Sequence, residues 1–145
     1  MKNTMKLEFS ALAENEAFAR AAAAAFVMPL DPTVEELTEI KTAVSEAVSN
    51  SIIHGYPGKE KGMVQMECSS QPSGKVTIAV RDEGCGIEDV PQAMEPLFST
   101  GDSEERSGMG FTVMESFMDK LKVVSEPGQG TTVIMTKYLD VVSGI

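Results

Sequence analysis

The chain has 145 residues, 42% of them hydrophobic and 23% charged, the composition of one soluble globular domain over residues 1–145 with a real core. Twenty-two acids against 12 bases give a formal charge of −10, which argues against direct nucleic-acid binding and suits a basic partner or simple solubility. Two irregularly placed cysteines, Cys68 and Cys85, make neither a disulfide framework nor a zinc site and point to a reduced, cytoplasmic setting. The apolar stretch 21–28 is far shorter than the roughly 20 residues a membrane span needs, so no membrane association is expected.

In chain order, Met5 to Phe9 alternates apolar and polar residues and reads as a first strand. The alanine-rich run Asn15 to Met28 predicts a helix, apolar nearly all round and therefore substantially buried, ended by Pro29. Arg20 is the charge in its middle, either snorkelling to the surface or marking a partner-facing edge. A longer helix is predicted from Thr33 to His54, with Glu35 and Glu36 in its first turn. Leu37, Ile40, Val44, Ala47, Val48 and Ser51 form its buried stripe. Strands Met63–Cys68 and Lys75–Arg81 follow, joined by the turn Gln71-Pro72-Ser73-Gly74. An irregular stretch from Glu88 to Ser107, a helix Gly110–Leu121 and strands Lys122–Ser125 and Thr131–Lys137 complete the order. That order predicts an α/β (α+β, two-layer sandwich) domain, with a mixed, mostly antiparallel sheet covered on one face by helices.

Chemistry concentrates where Val76, Ile78 and Val80 run into Asp82-Glu83-Gly84-Cys85-Gly86. Two glycines one residue apart let the backbone turn sharply and approach a ligand, and Asp82 can accept a hydrogen bond from a base amino group. Upstream lies Glu46-x-x-x-Asn50 with His54-Gly55; downstream lie Gly108-x-Gly110 and Gly128-x-Gly130-Thr131. Glu46 and Asn50 share one helix face, away from the apolar stripe. Ser107-Gly108-Met109-Gly110 precedes a helix whose open N–H groups would face an anion, while no P-loop is present. The polar run from Leu97 to Ser107 reads as a lid, with Arg106 its cation.

These blocks, taken jointly and in this order, resemble the GHKL (Bergerat-fold) ATP-binding superfamily. The resemblance implies an ATP site in which Asn50 is the Mg²⁺ ligand and Glu46 the general base. Asp82 would bind adenine with Gly84, Gly86 and Thr131 around the ring, and Ser107 to Gly110 would cradle the phosphates. Arg106 would stabilise charge on the transferring phosphate or pair with Glu104 or Glu105. His54, the only histidine, reads as a helix C-terminal residue rather than a phosphoacceptor.

With no transducer domain and no dimerisation helix pair, the chain is similar to the bacterial anti-sigma serine kinases, and Leu37–Thr42 and Glu105–Phe111 resemble the sporulation members. This implies an ATP-dependent kinase for a serine of an anti-anti-sigma protein, and a homodimer that sequesters a sigma factor. A simple ATPase and a non-catalytic ATP-dependent binding module remain as alternatives.

Overall fold

The computed structural model describes residues 1–55, 62–87, 90 and 110–140, with backbone only at 54 and 55. Five strands, β1 (Asn3–Ser10), β2 (Met63–Ser70), β3 (Lys75–Asp82), β4 (Lys120–Glu126) and β5 (Gly130–Tyr138), form one sheet in the order β1-β2-β3-β5-β4. Every pairing is antiparallel, so the predicted mixed sheet is antiparallel throughout these strands. Helices α1 (Asn15–Val27), α2 (Val34–Asn50) and α3 (Gly110–Phe117) accompany it.

Alternation decides which face is covered. Val64, Met66 and Cys68 on β2 are buried, as are Val76, Ile78 and Val80 on β3 and Val133 and Met135 on β5. The intervening positions, such as Gln65, Glu67, Lys120 and Lys122, are partly or fully exposed. Onto the buried face α2 lays Ile40, Ala43, Val44, Ala47 and Val48, and α3 adds Phe111 and Met114. Each large aliphatic side chain so buried contributes roughly 1.5–3 kcal/mol.

Local signals start α2 cleanly. The Thr33 hydroxyl accepts from the Glu36 N–H (3.0 Å) and the Glu36 carboxylate accepts from the Thr33 N–H (2.9 Å), a reciprocal cap on the first turn. The second Glu36 oxygen accepts from the Asp140 N–H at 2.9 Å, fastening the chain beyond β5 to this helix. Past Asn50 the helix widens into one π-helical turn, Ser51–Gly55.

Three expectations change. Helix α1 is one-sided: Ala19, Ala23 and Val27 are buried, while Phe18 is 54% exposed and Met28 52%. Alanine favours the helix because it loses no side-chain entropy, and that preference requires no burial. Pro29 does not end α1 directly, because Met28–Leu30 forms a 3₁₀ turn closed by Asp31 in the left-handed region (φ 55°). Helix α3 stops at Phe117, and Leu121 belongs to β4. There Lys137 of β5, 8% exposed, donates to the Phe117 carbonyl (2.7 Å) and pairs with Glu39 of α2 (3.1 Å). A cation on those terminal carbonyls favours ending the helix at that point.

Candidate functional site

Cross-strand register assembles one end of the site. Val64, Asp82, Thr131 and Ser125 are consecutive partners across β2, β3, β5 and β4, so their side chains share the helix-covered face. Asp82 ends β3 as the next inward residue after Val80 and is 3% exposed. One of its carboxylate oxygens accepts from the Gly84 N–H at 2.9 Å. The Ser51 side chain and the Thr131 backbone also donate to the carboxylate. Burial pushes the Asp82 pKa above the usual carboxylate value, and these three donors oppose that rise. Ser51 opens the π turn that follows Asn50, so this hydrogen bond joins the end of α2 to the end of β3.

The loop after Asp82 is clamped to the β4–β5 turn. The Gly128 N–H donates to the Cys85 carbonyl at 2.7 Å and the Ile87 N–H to the Ser125 hydroxyl at 2.8 Å. The two backbones approach so closely that side chains are excluded. A Cβ on Gly86 (φ 74°) would lie 2.0 Å from the Glu126 carbonyl oxygen, and one on Gly130 (φ 85°) 2.1 Å from that of Asp82. Gly86 therefore serves the docking of loop on turn, in addition to the sharp turn and the approach to a ligand that the sequence suggested.

The second half of the site lies between α2 and α3. Glu46 and Asn50 are half-buried, and the polar face they define meets the first residue of α3. A Cβ on Gly110 would sit 3.0 Å from the Asn50 amide nitrogen and 3.2 Å from a Glu46 carboxylate oxygen. With no side chain, Gly110, the first residue of α3, lies directly against the polar Glu46/Asn50 face, and a helix N-terminus favours an anion. Asn50, Glu46 and Gly110 come together there, and Asp82 joins them through Ser51. This donor set fits a magnesium nucleotide: an amide oxygen and a carboxylate beside a helix N-terminus, and a buried acceptor set apart from them. Among the described residues no three of His, Cys, Asp or Glu cluster as metal ligands. A magnesium ion at Asn50 would take its remaining ligands from phosphate and water.

Arg106, Ser107, Gly108, Met109 and the lid from Leu97 to Ser107 lie outside the described residues, as does the His54 side chain. Arg20 is on α1, 3.7 Å from Glu16 and apart from this site, with its side chain 39% exposed. A groove of about 550 Å³ runs over the sheet past Gln65, Glu67, Arg81 and Thr132, and Asp82, Ser125 and Gly130 also contribute to its lining. Sequence reasoning missed Ser51 and Ser125 as site residues. Their signal was a serine occupying a position phased with buried apolar residues, where a hydroxyl requires a partner.

Residues 9–137 match the histidine kinase-like ATPase domain family. An anti-sigma F factor of Clostridium beijerinckii is 57% identical over 141 residues, covering 97% of this chain and 98% of that protein. The chain belongs to the anti-sigma F factor family. Its relative from Oceanobacillus iheyensis, also an anti-sigma F factor, is 55% identical over 139 residues, covering 96% of this chain and 94% of that one. Among solved structures, the RsbU and RsbW domains of a Mycobacterium tuberculosis protein superpose with a TM-score of 0.69 at 18% identity. That match covers 94% of this family member and 32% of the longer chain. The histidine kinase domain of a blue-light-activated kinase from Erythrobacter litoralis gives 0.59 at 23% identity, covering 86% of this chain and 60% of that one. Both structural likenesses establish the fold alone, a sheet covered on one face by helices.

Proposed function

We propose that the chain is an ATP-dependent protein serine kinase that phosphorylates a serine of an anti-anti-sigma protein and, as a homodimer in the cytoplasm, sequesters a sporulation sigma factor. The observation that carries this reading is the meeting of Glu46, Asn50 and Gly110 at one polar face, tied through Ser51 to the buried Asp82. It stands in a chain 57% identical to an anti-sigma F factor.

In this reading Asp82 accepts from the adenine amino group, with Gly84, Gly86 and Thr131 shaping the surrounding loop and strand. Asn50 holds Mg²⁺, which when bound neutralises charge on the phosphate oxygens. Ser107, Gly108, Met109 and Gly110 lead into the N-terminus of α3 and contact the phosphates, and Arg106 approaches the transferred one. Glu46, half-buried beside them, takes the proton of the attacking serine hydroxyl, a role that needs a carboxylate within hydrogen-bond reach. Arg20 lies on a partner-facing edge. Support for that edge is the apolar surface beside it, with Phe18 of α1 and Met28 of the following 3₁₀ turn about half exposed, and the charge of −10 suits the basic surface of a DNA-binding sigma factor. Two cysteines, one of them buried, and the lack of any described helix long and apolar enough to cross a membrane accord with the cytoplasm.

Incubation with γ-labelled ATP and Mg²⁺, with and without a purified anti-anti-sigma protein, tests the assignment. Label on a serine of that protein is the expected result. Free phosphate alone would instead make the chain an ATPase, and intact ATP a binding module. Analytical ultracentrifugation with a sigma factor checks the homodimer and its complex.

A further inference from the structure

One hydroxyl outside the family motif blocks carries more connections than any of the glycines around it. Ser125 Oγ lies 2.8 Å from the Ile87 N–H, 2.9 Å from the Gly130 carbonyl oxygen and 2.7 Å from the Thr131 hydroxyl. Two of these contacts have a fixed direction. An N–H only donates, so Ser125 accepts from Ile87; a carbonyl only accepts, so Ser125 gives its single hydrogen to Gly130. The third bond is then forced: Thr131 donates to Ser125, and its hydroxyl retains acceptor capacity alone.

Asp82, the cross-strand partner of Thr131 on the same face, is surrounded by three donors, the setting of an ionised carboxylate. Adjacent inward side chains, with Cβ atoms about 5 Å apart, therefore both offer acceptors and no hydrogen of their own. We propose that Ser125 is a specificity-determining positioning residue that fixes this polarity, making the base pocket select a purine with an exocyclic 6-amino group against a 6-oxo purine. The inference rests on the ATP-binding reading above and deepens it. A 6-amino group brings two hydrogens to a pair of acceptors, whereas a 6-oxo group brings lone pairs. Without the Ser125 hydroxyl, Thr131 can rotate its hydrogen toward the pocket and satisfy an oxo group.

The test is the ratio of affinities for ATP and inosine triphosphate, measured by calorimetry with Mg²⁺. The unsubstituted chain should prefer ATP by at least about tenfold. Ser125→Ala should narrow that ratio about fivefold to tenfold, the worth of one reversed hydrogen bond. Ser125→Thr, which keeps the hydroxyl, should preserve the ratio. Equal weakening of both nucleotides in Ser125→Ala, with the ratio intact, would make the serine merely structural and overturn the proposal. Should Ser125→Ala fail to fold, Thr131→Val asks the same question at the neighbouring position: a narrowed ratio supports the proposal and an unchanged one overturns it. Equal affinity of the unsubstituted chain for both nucleotides overturns this inference alone. Absence of ATP binding overturns the nucleotide site and the inference with it.

Discussion

Replacing Asp82 by Asn tests the proposed base-binding end of the site with little change in shape. The carboxylate is 3% exposed and receives hydrogen bonds from the Gly84 N–H, the Ser51 side chain and the Thr131 backbone. An amide supplies one oxygen for these donors and turns an NH₂ toward the rest and toward the adenine amino group. A donor facing a donor in a buried site costs on the order of 1–3 kcal/mol, so ATP affinity should fall roughly tenfold to a hundredfold. Stability should change less, because the substitution also removes a buried charge. Burial raises the Asp82 pKa in the folded chain above 3.8. The parent therefore loses stability as pH rises from 3.8 through that raised value, and the Asn variant does not. At neutral pH the two changes oppose each other, and the melting temperature should move by only a few degrees. Calorimetric titration with Mg·ATP, paired with thermal melts, separates these effects. Unchanged ATP affinity would remove Asp82 from the site, and a loss of affinity accompanied by collapse of the melt would refute the isosteric reasoning.

Glu46→Gln should leave Mg·ATP bound but slow phosphate transfer by ~10²–10⁴-fold in single-turnover assays, whereas Gly110→Ala, whose Cβ would press on the Asn50 amide at 3.0 Å, should weaken Mg·ATP binding in titration. Gly130→Ala meets the Asp82 carbonyl oxygen at 2.1 Å with φ at 85°; it should cost about 2–5 kcal/mol, a Tm fall of roughly 5–20 °C. Gly128→Ala, at φ 78° with nothing within 4 Å of its Cβ, should cost about 1 kcal/mol, and equal shifts in the two melts would refute the close-approach argument. Hydrogen bonds from the Thr33 and Asp140 backbones, with Lys137 nearby, lower the Glu36 pKa below 4.5. Its stabilisation is therefore present above pH 4.5 and lost as pH falls through the lowered value. Glu36→Gln should melt below the parent at pH 7 by about 0.5–1 kcal/mol, and the gap should close under acid.

Elements with a strong period were legible. The stripe from Ile40 to Val48, the Gln71–Gly74 hairpin and the strand over Thr131–Lys137 stand where the residues predict, and β4 begins two residues earlier than expected. The Glu46/Asn50 face and the Asp82 strand exit were legible too, because each joins a helical or strand period to a polar residue out of keeping with a plain surface. What could not be read was contact at a distance. That the Glu46/Asn50 face meets Gly110, and that Gly86 and Gly130 let two backbones touch, depends on packing between residues 40 to 64 positions apart in sequence. Helix α1 misled for a different reason: alanine is compatible with burial and exposure alike, so a run of it fixes the helix but not its environment. The Thr33/Glu36 cap was written plainly in Thr-x-x-Glu, and only the favourable charge of Glu36 was drawn from it.

β5, the last of the described strands, is not an edge strand. β5 lies between β3 and β4, flanked on both sides. A nascent chain can pair β1, β2 and β3 as they emerge, yet β3 retains an open hydrogen-bonding edge until residues 130–138 leave the ribosome. Thr131 and Ser125 join the Asp82 row only once β5 has paired, so the proposed base pocket closes after β1, β2 and β3 have come together. A chain cut before residue 130 would lack β5, leaving β3 with an exposed edge and Asp82 without its Thr131 and Ser125 neighbours. Such a fragment should aggregate through that open edge.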